Sequence, residues 1–157
     1  MSSGTLSSSN NSLVYVAAVS TRASGQVESV NGLGLNWSRA SYQCSGRNAT
    51  CVDVWYAVGQ SQGGSVTANL GSSRSSAVIS VSVFNAASAT SVLGANTNGE
   101  AGACSGGTDT DNYSVSFDAS GSGLIYSAVA TRNKTHSPVG GLQEISEVSA
   151  GSGGDVA

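Results

Sequence analysis

Ile79-Ser80-Val81-Ser82-Val83-Phe84 decides the fold class of this chain. Apolar residues alternate with serine, and a period of two turns one side of a strand toward a core and the other outward. Tyr113-Ser114-Val115-Ser116-Phe117 has the same pattern. Soluble sheets usually carry charge on the outward side, which also keeps their edges from pairing. Here that side carries hydroxyls, and a neutral face costs little to cover with a second protein surface.

Leu13-Val14-Tyr15-Val16-Ala17-Ala18-Val19 and the run from Leu124 to Ala130 are continuous rather than alternating, which predicts central strands covered on both faces. Gly, Ser and Asn separate the strands at Ala23-Ser24-Gly25, Asn31-Gly32, Gln62-Gly63-Gly64, Gly71-Ser72-Ser73 and Ala119-Ser120-Gly121-Ser122-Gly123. Strands are predicted over 12–21, 26–31, 33–44, 51–59, 64–70, 76–85, 112–118, 123–132 and 140–149, with a long loop over 87–111. No segment holds helical periodicity for three turns. The predicted class is all-β, an antiparallel, jelly-roll-like β-sandwich of about nine strands with essentially no helix. The expected organisation is a polar N-terminal arm (1–11), one sandwich domain (12–150) and a Gly-rich C-terminal tail (151–157).

With 157 residues the chain can bury one sizeable core. Charged residues make up 10% of it, against about 25% in a typical domain. The net charge of -3 therefore reflects scarcity of charge rather than an acidic run. Its six Lys and Arg residues are scattered singly. Without a basic patch to neutralise phosphates, nucleic acid is not expected as a partner. No apolar run approaches the ~20 residues that span a bilayer, so membrane insertion is not expected either. Met1-Ser2-Ser3-Gly4 leads into serine and asparagine, without the basic start and apolar stretch of a secretory leader. The expected location is extracellular or on a virion surface, reached by release without a leader or as a mature segment.

Cys44 and Cys51 flank the polar turn Ser45-Gly46-Arg47-Asn48-Ala49-Thr50. A disulfide clipping that hairpin is expected, and with it an oxidising environment. Cys104 is left over, and reads as a buried free thiol, with a bridge to another chain as the alternative.

Motifs for chemistry are sparse. Gly59-Gln60-Ser61-Gln62-Gly63 matches the G-x-S-x-G of a serine hydrolase elbow. That elbow needs a strand, a sharp turn and then a helix, whereas Ser65-Val66-Thr67-Ala68-Asn69-Leu70 reads as another strand. His136 is the single histidine that could serve as a base. No catalytic residue and no enzyme activity are expected. Asp109, Asp111 and Asn112 cluster oxygens on one loop, but calcium takes six to eight oxygen ligands, and Ser120 stands where an EF-hand loop would place its last carboxylate. No cofactor is expected, calcium at this loop being the one candidate. Trp37 and Tyr42 are candidates for stacking against sugar rings, whereas Trp55 sits in an apolar strand and reads as core.

Ala17-Ala18-Val19-Ser20-Thr21-Arg22 is echoed by Ser127-Ala128-Val129-Ala130-Thr131-Arg132, and the Gly32-Leu33 that follows the first by the Gly141-Leu142 that follows the second. Asn31-Gly32-Leu33-Gly34-Leu35-Asn36-Trp37, then Val52-Asp53-Val54-Trp55-Tyr56-Ala57, then Ala77-Val78-Ile79-Ser80-Val81-Ser82-Val83-Phe84 resembles the Gly/Ser-rich β-sandwich modules of bacterial surface proteins and phage virion proteins. The likeness covers roughly residues 10–157 and brings no catalytic residues with it. In such modules further strands follow the Gly-rich turn that here is nearly the last thing in the chain. The resemblance thus implies open sheet edges completed in trans, with the segment 1–11 of a neighbour as the candidate strand.

Together these features predict a non-enzymatic structural or surface-display protein. It would self-associate, or join other structural proteins, in a virion (capsid decoration or tail) or in an extracellular filament or adhesin. The alternative is a carbohydrate-binding module of an extracellular protein, with glycans as partners.

Overall fold

The computed structural model describes residues 1–22, 26–44, 50–85, 93–94, 114–116, 118, 123–132, 137–138, 140–150 and 155–156. These are all-β, with antiparallel sheets and no helix. Six strands have four to ten residues: β1 (Leu13–Arg22), β2 (Ser29–Gly32), β3 (Ser38–Cys44), β4 (Thr50–Gly59), β5 (Val66–Asn69) and β6 (Ser76–Asn85).

The first sheet runs in the order β3-β4-β1-β6. β1 takes its inner place because its sequence can be covered on both sides. Every residue from Val14 to Thr21 is buried, as the continuous apolar run predicts. Ala17 faces Trp55 of β4 on one side and Val81 of β6 on the other. The second sheet pairs β2 with β5, Val30 opposite Ala68. The two sheets share one core. Tyr15, Ala17 and Val19 of β1 and Trp55 of β4 meet Val27, Val30, Leu33, Val66 and Ala68. Each fully buried aliphatic side chain there contributes about 1.5–3 kcal/mol.

The turn after β2 shows how the Gly-Leu step works. Leu35 N–H donates to the Gly32 carbonyl at 3.2 Å. The two central residues, Leu33 and Gly34, have φ of 63° and 70°. Glycine enters that region freely, but leucine does so at a cost. Burial offsets it, since Leu33 is only 3% exposed within the core. Gly32 is needed for a different reason. With φ of 132°, a Cβ there would lie 2.2 Å from the Ser65 carbonyl oxygen.

The N-terminal arm is not a free tail. Met1 and Ala68 exchange backbone hydrogen bonds, each 2.9 Å. Ser3 N–H donates to Val66 O at 2.8 Å, and Leu6 and Gly64 exchange bonds of 2.8 and 3.0 Å. The arm therefore lies along the outer edge of β5, held through two isolated antiparallel bridges, Ser2 to Thr67 and Leu6 to Gly64, with Met1 and Leu6 packed on the core. The segment expected to complete a neighbour is seated on its own chain.

The C-terminal half departs furthest from expectation. Among the described residues, predicted strand 123–132 is paired at Thr131–Arg132 alone and predicted strand 140–149 at its end alone, Ser149–Ala150; both two-residue segments flank Asp155–Val156. In predicted strand 112–118 the described residues 114–116 are unpaired and exposed. Leu124 is 68% exposed, so this run is not the doubly covered strand that its likeness to β1 predicts. The physical reason is partnership: β1 is buried by β4 and β6, and no described residues flank 123–130 in the same way. Among the described residues, about nine full strands are not seen.

Instead, this half lies over the serine-lined face of β6. Ser80 and Ser146 hydroxyls meet at 2.8 Å. Tyr126 packs edge-on against Phe84, ring centres 6.0 Å apart, and bonds Ser82. The chain meets this part of the neutral face with itself.

Candidate functional site

Asp53 stands on the core-facing side of β4, between Cys51 and Trp55, and its side chain is 1% exposed. A carboxylate buried that deeply demands partners. Two neighbours supply them. Val27 N–H, just before β2, donates to Asp53 Oδ2 at 3.1 Å. Arg39 Nε on β3 lies 2.9 Å from Asp53 Oδ1, close enough for an ion pair though not aligned as a straight N–H···O bond. The same guanidinium donates to the Val27 carbonyl and, at 3.2 Å, to Gln26 Oε1. Its carbon is 4.8 Å from the centre of the Trp55 ring, a cation–π contact.

A β-bulge assembles this group. The β3–β4 register shifts between Arg39 and Ser41, so Arg39 opposes Trp55 and Tyr42 opposes Asp53. Without the extra residue, strict alternation would turn Tyr42 to the other face. Cys44 opposes Cys51, and the two form a disulfide. The Tyr42 hydroxyl lies 2.7 Å from Cys44 Sγ and 3.9 Å from Cys51 Sγ.

Burial sets the electrostatics. Loss of hydration pushes the Asp53 pKa above that of an ordinary aspartate, and outweighs the Val27 N–H and Arg39, which pull it down. Tyr42 is also raised, first by burial and then by the negative charge of Asp53. The arrangement is a clamp. It ties β2, β3 and β4 together around a carboxylate that has no room to meet a substrate. The clue in the sequence was a charge at an inward position of an otherwise apolar strand, Val52-Asp53-Val54-Trp55, and it was missed.

The residues singled out from sequence fall as follows. Cys44 and Cys51 are joined as expected. Trp37 is half-buried, packs against the core and donates its indole N–H to the Gly32 carbonyl at 3.2 Å. Tyr42 is half-buried beside the disulfide. Ser61 is buried, and its hydroxyl accepts from Gly63 N–H at 2.9 Å, closing a local turn. β5 follows it rather than a helix, so the elbow geometry is not formed. Cys104, Asp109, Asp111, Asn112 and His136 lie outside the described residues.

Among the described residues, a shallow trough of about 300 Å³ lies between the arm and β6, lined by Ser3 to Leu6, Ile79 to Val81 and Val148. No helix among the described residues is long and apolar enough to cross a membrane. No protein-family model, characterised protein or solved structure significantly matches this chain.

Proposed function

We propose that this chain is a non-enzymatic structural or surface-display protein, a jelly-roll-like β-sandwich that self-associates in a virion or an extracellular filament. One observation carries the reading. The C-terminal layer that covers β6 itself leaves Leu124, Ile125, Leu142 and Ile145 exposed, at 68%, 48%, 47% and 60%. These apolar side chains stand exposed in two stretches, 124–125 and 142–145, and exposed apolar surface of this kind supports a contact role. The chain's few charges also leave little repulsion between copies. Two sheets sharing a core support the sandwich, and the Cys44–Cys51 disulfide fits a location outside the reducing cytoplasm.

Light scattering coupled to size-exclusion chromatography, with electron microscopy of the same fractions, tests the reading. Concentration-dependent oligomers or filaments are the expected result, weakened when Leu124 and Ile145 are both changed to serine. A monomer at every concentration up to the solubility limit overturns it.

A further inference from the structure

We infer that the outer edge of β5 is an exchange site, which accepts residues 1–6 of a second copy of this chain in place of its own arm. The inference rests on the self-association proposed above and names the surface that performs it. The structure shows what fits this edge. Backbone bonds at Met1, Ser3 and Leu6 are joined by the Ser3 hydroxyl, which accepts from Val66 N–H at 3.0 Å, and by a 2.9 Å contact between the Ser2 and Thr67 hydroxyls. All of these contacts can be made equally well by an identical arm from elsewhere, so exchange loses none of them.

Three features favour release of the arm. Its hold is mostly backbone, with Met1 and Leu6 as its only large apolar anchors, both half-buried. The trough along its flank, bounded by Ile79, Val81 and Val148, leaves it incompletely packed against β6. The connector Ser7-Ser8-Ser9-Asn10-Asn11-Ser12 is wholly polar, and holds its place through few bonds: Ser9 N–H to Ser61 O, Gln60 Nε2 to Asn10 O, and contacts between Ser9 and Asn11. Extended, those six residues reach about 20 Å, enough to carry the arm across to a neighbour. Neither arm nor β5 bears a charged side chain, so two copies meet there without side-chain repulsion. Whether an arm sits on its own β5 or on another is then a competition between local and bulk concentration.

The test uses two full-length single variants, Ser2→Cys and Thr67→Cys, each also carrying Cys104→Ser. Ser2 and Thr67 face each other as a non-hydrogen-bonded pair, the closer of the two cross-strand spacings. The variants are unfolded together with the native disulfide intact, refolded at high concentration and mildly oxidised, and their disulfide-linked peptides are identified by mass spectrometry. Exchange yields a covalent dimer linked through position 2 of one copy and position 67 of the other. The double variant Ser2→Cys/Thr67→Cys reports the opposite outcome, a link within one chain. Oligomers that contain only the within-chain link overturn the exchange and leave self-association standing. Monomers with only that link overturn both. Should position 67 tolerate cysteine poorly, deletion of residues 2–6 is the second arm of the test. Under exchange it lowers the oligomer mass seen by light scattering, and an unchanged oligomer overturns the inference.

Discussion

Arg39 on β3 is held 2.9 Å from Asp53 on β4 while its guanidinium lies over the Trp55 ring, so one cation neutralises a buried acid and closes an aromatic edge of the core. The two halves of the pair are unequal. Asp53 is sealed, whereas the Arg39 side chain is 30% exposed and keeps part of its hydration. Asp53→Ala removes the acceptor for Val27 N–H and leaves both that group and Arg39 without their charge partner. Loss of one member of a buried pair costs about 3 kcal/mol. Urea denaturation should show this as a lower midpoint with an unchanged slope, while Arg39→Lys, which loses the planar fork and much of the stacking, should cost less.

The raised pKa of Asp53 fixes the sign of a pH effect. A carboxyl that titrates higher in the folded state than in the unfolded chain binds its proton more tightly when folded. Its contribution to stability is therefore full below the unfolded value, near 3.8, and is lost as pH rises through the higher folded value. Asp53→Asn keeps an oxygen to accept from Val27 N–H but cannot titrate. Between wild type and this variant, the difference in unfolding free energy should shift against wild type as pH climbs from 3.8, and level off once pH has passed the folded value. A difference that stays flat with pH would mean the folded and unfolded values coincide.

Trp37 is expected to behave as a packing residue. Its ring rests on the core and its N–H closes onto the Gly32 carbonyl, next to the Leu33 turn. Trp37→Ala should lower stability by about 2 kcal/mol, less than the roughly 3–5 kcal/mol of a fully buried aromatic. Thermal melting of the variant checks this. An unchanged melting temperature would mean that the ring contributes no packing and is free for a ligand.

The sequence disclosed those elements whose burial follows from their own pattern. Ser76–Asn85 and Leu13–Arg22 stand within a residue of their expected limits, because alternation and a continuous apolar run are local signals. The arm was opaque for the opposite reason. Its strand pairing is carried by backbone groups that every residue has, and only Met1 and Leu6 mark its inner side. The likeness of 127–132 to 17–22 misled because an apolar run specifies a buried strand only if neighbours flank it. The side that Tyr42 takes is not legible from alternation, because the bulge between Arg39 and Ser41 reverses the faces of the residues beyond it. The hydroxyl-lined side of β6 reads in sequence as a face for a second protein, whereas Ser146 and Tyr126 of the same chain meet it, a long-range contact that no local pattern announces.

Tyr15 offers a test of the core itself. It is 1% exposed in the middle of the shared core, and its hydroxyl has no hydrogen-bond partner among the described residues. A buried hydroxyl left unpaired opposes folding, because water solvates it in the unfolded chain. Tyr15→Phe keeps the ring and its contacts with the second sheet while removing that cost. The variant should therefore be more stable, by about 1 kcal/mol, which corresponds to a rise in melting temperature of about 2–4 °C for a domain of this size. Differential scanning calorimetry decides the sign. A fall in melting temperature would show that the hydroxyl is bonded in solution, and that the centre of the core is polar where β1 meets the second sheet.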